Sequence, residues 1–280
     1  MTPGYQDLPA VVTVGTSKGG VAKTTTAVNL SAALGERGRR VLLIDADHQA
    51  NATRNVGVAP LPARAPGLAG VLLDQVPISQ AIVTPTNRPG VDVLPSTRDL
   101  RQAEIVLPAT YGFELRLRQA IRELPRPTYD YVIVDVPPSL GLLARIAIAA
   151  SEYVLIPTQV KAWSLEGVQE TEDAVERLRA GLMLGDAGPR TLGVIFTIVD
   201  RADGGLADQV GEVLGQSLLP YRFPRSRAAE WSETTSRPLT EAVGGKRFWT
   251  HFQALAAGVE ARIAADREAA ESVHYVVAAR

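Results

Sequence analysis

The chain has 280 residues, 46% hydrophobic and 21% charged, with 29 Lys and Arg against 30 Asp and Glu and a net charge of -1. That balance excludes intrinsic disorder and fibrous repeats, and it leaves only a local basic patch, not the whole surface, for any contact with a polyanion. There is no cysteine, so disulfides, thiolate zinc sites, iron–sulfur clusters and a cysteine nucleophile are excluded as well.

Short β-branched runs alternate with longer helical patterns. The predicted strands, in chain order, are Ala10–Thr16, Val41–Asp45, Val91–Leu94, Tyr131–Asp135, Tyr153–Pro157 and Leu192–Thr197. Runs so short and so apolar are strands buried on both faces, and the helical segments between them supply crossovers. The expected fold is α/β: a doubly wound, mostly parallel sheet flanked by helices. A single domain is expected over residues 1–280, with a core at about 10–265 and a tail at 266–280. Residues 56–66, VGVAPLPARAP, read as an inserted loop. Phe248, Phe252, Leu255, Ala256, Val259 and Ile263 recur at helical spacing, which predicts an amphipathic helix with one face on the sheet.

No apolar run reaches the roughly 18 residues of a membrane span. The opening MTPGYQDLPA lacks the layout of a secretory signal. A cytoplasmic protein is expected.

After the first strand comes Gly15-Thr16-Ser17-Lys18-Gly19-Gly20-Val21-Ala22-Lys23-Thr24-Thr25, and then the helical run AVNLSAALGERG. A glycine-rich turn between a buried strand and a helix N-terminus gathers backbone N–H groups in one concavity, where the helix dipole adds positive charge. A triphosphate suits it. Lys23 can reach the β- and γ-phosphates, and the Thr24 hydroxyl can ligate Mg²⁺. A dinucleotide loop, G-x-G-x-x-G, is excluded because Ser17 stands where its second glycine would fall. The strict pattern G-x-x-x-x-G-K-S/T also fails, since Ser17 and Ala22 occupy its glycine positions; the deviant form K-G-G-x-x-K-S/T matches, with an additional lysine at Lys18.

Two further strand ends carry carboxylates: Asp45 and Asp47 in VLLIDADHQANAT, and Asp135 in YDYVIVDVPPSLG. A carboxylate that ends a buried strand beside a phosphate loop is placed to hold Mg²⁺, mostly through water. Asp130 lies at the opposite end of its strand and is expected in a turn or cap. His48 beside Asp47 invites a general-base role, against the plainer reading of a solvated loop histidine; His251 and His274 suggest nothing.

The loop resembles that of the ParA/MinD/NifH group of P-loop ATPases, and the resemblance runs from about Val11 to Ile263. VLLIDADHQANAT is similar to the D-L-D-P-Q-G-N-A-T segment of ParA and Soj proteins, with His48 and Ala50 in place of Pro and Gly. YDYVIVDVPPSLG, IPTQVKAWSLEGVQET, GVIFTIVD and FPRSRAAEWSETTSRPL match further ParA segments, the last only in part. In that last stretch Ala228 sits where the family often has a DNA-binding arginine, with Arg227 next to it.

The resemblance implies an ATPase using ATP/ADP and Mg²⁺. The nucleotide would lie against Lys18, Gly19, Gly20, Val21, Ala22, Lys23, Thr24 and Thr25. Asp47 would position the attacking water, and Asp45 would help organise the Mg²⁺ shell and Thr24. Lys18 would reach across an ATP-sandwich homodimer to the partner's nucleotide. Ala22 puts a methyl group near the phosphates. The implied function is partition of chromosome or plasmid DNA: the ATP dimer binds nonspecific double-stranded DNA on the nucleoid, and a ParB-type centromere-binding protein triggers hydrolysis and release.

Between Tyr221 and Arg247, six cations (Arg222, Arg225, Arg227, Arg237, Lys246 and Arg247) face three carboxylates (Glu230, Glu233 and Glu241), an excess of three positive charges. Doubled in a dimer and extended by Arg201, such a patch would neutralise phosphates without reading bases. With about ten residues before the first strand, no helix-turn-helix is expected there, and sequence-specific repression is not expected.

The alternative is a MinD-like membrane-cycling ATPase. Its terminal amphipathic helix has a weak counterpart in AADREAAESVHYVVAAR, where Val273, Tyr275, Val276 and Val277 are the apolar cluster and only Arg267 and Arg280 are cations. No membrane partner is therefore expected. Cluster-bearing ATPases of the group are excluded by the missing cysteines.

Overall fold

The computed structural model describes residues 8–278 except 60, 63, 86, 127, 162 and 163. The chain runs β1 (Ala10–Val14), α1 (Lys23–Glu36), β2 (Val41–Asp45), α2 (Asn51–Asn55), α3 (Leu68–Leu72), α4 (Ile78–Ala81) and β3 (Val91–Leu94). It continues through α5 (Leu100–Val106), α6 (Arg116–Arg122), β4 (Tyr131–Asp135), α7 (Leu142–Ala150) and β5 (Tyr153–Thr158). Last come α8 (Ser164–Gly181), β6 (Arg190–Val199), α9 (Gly204–Leu214), β7 (Leu218–Pro224), α10 (Arg227–Thr235) and α11 (Gly245–Ala278).

The seven strands form one parallel sheet in the order β3-β2-β4-β1-β5-β6-β7. The doubly wound α/β reading is what the protein has. All six predicted strands are present. β1 stops at Val14, earlier than expected, because Gly15 already bends into the phosphate loop, while β6 runs longer, from Arg190 to Val199. The seventh strand, β7, was not anticipated. It is an edge strand containing Pro220 and Pro224, and only Leu219 and Phe223 are fully buried, so it lacks the apolar run of its neighbours.

Alternation along the strands divides the core. Val12, Val14, Leu43, Ile133 and Leu155 pack with α1 and α11 on one face, whereas Val11, Leu42, Ile44, Val132 and Val134 pack with α3, α5, α6 and α7 on the other. The predicted stripe Phe248, Phe252, Leu255, Ala256, Val259 and Ile263 is buried in the first of these layers. α11 continues through residue 265 as one helix to Ala278. At that point Arg267 pairs with Glu152 at 2.8 Å, and Tyr153 donates to Asp266 at 2.6 Å. The side chains of Val273, Tyr275, Val276 and Val277, like that of His274, lie outside the described residues. Among the described residues no helix is long and apolar enough to cross a membrane.

Register sets the strand ends level. Val14 and Asp45 both pair with Asp135, so the first turn of α1 and two carboxylates meet at the C-terminal edge of the central strands. Asp130 sits at the other end, where it accepts from Arg40 N at 2.7 Å.

Candidate functional site

The loop between β1 and α1 is held from both sides. Gly15 N donates to Leu155 O (3.1 Å), Gln159 Nε2 to Gly20 O (2.8 Å), and Thr197 Oγ1 to Val21 O (3.0 Å). Gly20 has φ +70°, and Ala22, which caps α1, has φ +58°. Left-handed backbone favours glycine, so Ala22 holds its conformation at a cost on the order of 1 kcal/mol. Its counterpart Ala50, capping α2, has φ +54°. Both places where this chain has alanine and the patterns have glycine are thus left-handed.

Lys23 is buried, and its Nζ donates to Lys18 O at 2.7 Å. Burial lowers its pKa, against the opposing pull of Asp135 and Asp47. Thr24 Oγ1 donates to Asp135 Oδ2 at 2.7 Å. Asp135 is fully buried, and its other oxygen, Oδ1, has no hydrogen-bond partner. Burial first, and then the neighbouring Asp45, push its pKa well above the ordinary carboxylate range.

Asp45 is placed differently from expectation. Its Oδ2 accepts from Thr53 N and Thr53 Oγ1, both at 2.7 Å, and its Oδ1 accepts from Asp47 N at 3.2 Å. The carboxylate therefore braces α2 against β2, and Thr24 turns to Asp135. Burial pushes Asp45 up to about 6.

Gly20, Val21, Ala22, Lys23, Thr24, Thr25 and Asp47 line one cavity of about 470 Å³. Asp47 is buried, and Gln49 N donates to its Oδ1 at 2.8 Å. His48 lies 3.7 Å from the same oxygen, contacts Gln49, and is not part of the cavity wall.

Lys18 leaves the cavity. Its Nζ pairs with Glu166 Oε2 at 3.0 Å, on the first turn of α8. Gly167 makes room for it: a Cβ there would lie 2.6 Å from Lys18 Cγ.

The far wall of the cavity escaped sequence reasoning. Phe223, Pro224, Phe248 and Phe252 form an apolar end, Asn51 and Arg54 stand on α2, and Glu230 and Glu233 project from α10. Phe248 and Phe252 read as core, and they are both core and wall. Ile198, a β-branched residue at φ +53°, lines the cavity too. Such strain costs on the order of 1–3 kcal/mol and gathers at functional sites.

The predicted basic residues are exposed, and some are already paired. Arg225 grips Asp200 with Nε and Nη2 at 3.0 and 3.1 Å, and Arg222 pairs with Asp208 at 3.0 Å. Arg227 opens α10, Lys246 and Arg247 lie on the first turn of α11, and Arg201 begins the turn after β6. Ala228 is buried in the core.

The chemistry available is anion binding at the start of α1, with a buried carboxylate and a hydroxyl beside it. Among the described residues no three His, Asp or Glu side chains form a ready-made metal site. A cation here would be shared with oxygens of a substrate, as Mg²⁺ commonly is. The unpartnered Asp135 Oδ1 fits a water in the shell of such an ion.

Comparison with known proteins finds relatives over most of the chain. A family model described as an AAA domain matches residues 10–183. The chromosome partitioning protein ParA of Caulobacter vibrioides is 39% identical over 236 residues, covering 82% of this chain and 85% of that protein. The chromosome-partitioning ATPase Soj of Thermus thermophilus is 34% identical over 259 residues, covering 90% and 96%. The crystal structure of cobyrinic acid a,c-diamide synthase from Mycobacterium smegmatis with bound ADP and magnesium superposes with a TM-score of 0.71 at 31% identity, covering 83% and 94%.

Proposed function

The chain belongs to the ParA/Soj family of partition ATPases, and from that premise we propose that it binds ATP in the 470 Å³ cavity and hydrolyses it to ADP and phosphate while partitioning DNA. The observation that carries the reading is the convergence of Gly20–Thr25 and Asp47 on that one cavity. The similar structure that holds ADP and magnesium supports it.

In this reading the amides of residues 19–25 cradle the phosphates, and Lys23 exchanges Lys18 O for phosphate oxygen. Phe223, Pro224 and Phe252 offer the apolar slot for the base. Thr24 Oγ1, with Asp135 and Asp45 behind it, would hold Mg²⁺, which when bound would neutralise phosphate charge. Asp47, the carboxylate of the three that reaches the cavity, orients water toward the γ-phosphate. Lys18 leaves Glu166 and crosses a homodimer interface to the partner's nucleotide.

The surface formed by Arg201, Arg222, Arg225, Arg227, Lys246 and Arg247 binds nonspecific double-stranded DNA on the nucleoid. A ParB-type centromere-binding protein stimulates hydrolysis and release. The test is DNA binding with ATP, ADP or no nucleotide across a salt series. ATP-specific, salt-sensitive and sequence-indifferent binding is expected; binding to anionic vesicles with ATP, and not to DNA, would sink the reading.

A further inference from the structure

Two carboxylates that line the cavity, Glu230 and Glu233, have no role in the proposed function. The first intrahelical bond of α1 runs from Thr26 N to Ala22 O at 2.9 Å. The N–H groups of Lys23, Thr24 and Thr25 consequently have no acceptor within the helix, and all three residues line the cavity. This is an anion seat, reinforced by the positive end of a 14-residue helix. A carboxylate of the protein stands beside this seat without entering it: Glu233, in the last turn of α10, accepts a hydrogen bond from the Thr25 side-chain Oγ1 through its Oε1.

Glu233 is solvent-exposed and lines the same cavity. Being hydrated, its carboxylate can swing away without stranding a buried charge. While in place it occupies the Thr25 hydroxyl and sets a negative charge beside the phosphate seat.

We propose that Glu233 is an internal competitor for nucleotide phosphate, an affinity-setting residue that must leave Thr25 before the nucleotide can seat fully. The proposal rests on the cavity being the ATP site. ATP and ADP would both bring phosphates to this seat, so both are weakened. The displacement also breaks a tie between α1 and α10. A carboxylate in such a cavity has one other use, accepting hydrogen bonds from ribose hydroxyls, and that use predicts the opposite sign.

The experiment is calorimetric titration of the full chain with ATP, ADP and 2′-deoxy-ATP in the presence of Mg²⁺, for wild type, Glu233→Gln, Glu233→Ala and Glu230→Gln. Both Glu233 variants should bind ATP and ADP about 2- to 5-fold tighter, the range that an exposed carboxylate at a helix N-terminus commands, with the preference for ATP over 2′-deoxy-ATP unchanged. Unchanged or weaker binding overturns the proposal, as does loss of the preference for ATP, which would make Glu233 a ribose acceptor. An equal gain in Glu230→Gln overturns it too, by reducing the effect to the overall charge of α10. If neither wild type nor the variants bind ATP, the ATP-site reading fails and the proposal falls with it.

Discussion

Thr24 Oγ1 donates a 2.7 Å hydrogen bond to Asp135 Oδ2, tying the first turn of α1 to the end of β4. Each partner brings a group suited to a hydrated cation: a hydroxyl at the cavity, and a buried carboxylate with one oxygen unpartnered. Asp135→Ala should therefore remove the Mg²⁺-dependent part of ATP binding and leave Mg²⁺-free binding within about threefold. Titrations with and without Mg²⁺ check this, and a Mg²⁺ effect as large as in wild type would separate Asp135 from the ion.

Asp45 and Asp135 are register partners on adjacent strands, and burial raises both. The folded pKa of Asp45 is about 6, against roughly 3.9 in an unfolded chain. A raised carboxylate favours the folded state while protonated, so its contribution is present below about pH 4 and is lost as pH rises through about 6. The nucleotide-free protein should lose thermal stability across that window. Asp45→Asn should melt lower overall, since an amide would set a donor against Asp47 N or Thr53 N, but with a flatter pH profile. Melting curves at half-unit pH steps decide it.

Some of this was legible in the sequence for physical reasons, and the remainder was not. Val12, Leu43 and Ile133 lie in strands buried on both faces, and such strands announce themselves as apolar runs. β7 is an edge strand interrupted by Pro220 and Pro224, so no run marks it. Lys23 and Thr24 stand out in the sequence because phosphate chemistry would need them next to one another, and both line the cavity. Glu233 meets Thr25 across 208 residues and Glu166 meets Lys18 across 148, and such contacts exist only through tertiary packing. Asp45 looked like a ligand from its strand-end position, yet Thr53, eight residues on, takes up its Oδ2.

Ala22 and Ala50 hold left-handed conformations at φ +58° and +54°. Glycine removes the Cβ strain there, offset in part by a more flexible unfolded chain. Ala50→Gly should stabilise the protein by up to about 1 kcal/mol, raising Tm by roughly 2–4 °C. Ala22→Gly should do likewise, since Ala22 caps α1 in the same left-handed conformation. A lower Tm in either variant would mean that the methyl makes contacts worth more than the backbone strain.

Asp47 reaches the cavity, while Asp45 and Asp135 stay behind it. Asp47→Ala should leave ATP binding within about threefold and cut turnover by at least about 100-fold, the lower end of what a positioned base contributes. The variant should persist as an ATP-bound dimer on DNA. Phosphate release and sedimentation read the two effects separately, and wild-type turnover would place water activation elsewhere.

Arg225 grips Asp200 through two hydrogen bonds on an exposed surface. Exposed pairs contribute little, so a DNA phosphate can compete for this guanidinium, but only by displacing the carboxylate. Two opposite outcomes follow. Asp200→Asn should tighten DNA binding and steepen the slope of log affinity against log salt by about one unit per protomer, because one more cation is free to replace counterions. Arg225→Glu with Arg227→Glu should flatten that slope by about two units per protomer and lower affinity on the order of 100-fold at low salt. Since Arg225 also lines the nucleotide cavity, Arg227→Glu alone isolates the DNA effect, with ATP binding as its control. If Asp200→Asn leaves the slope unchanged, Arg225 does not touch phosphate; if Arg227→Glu does so as well, the DNA surface lies elsewhere on the molecule.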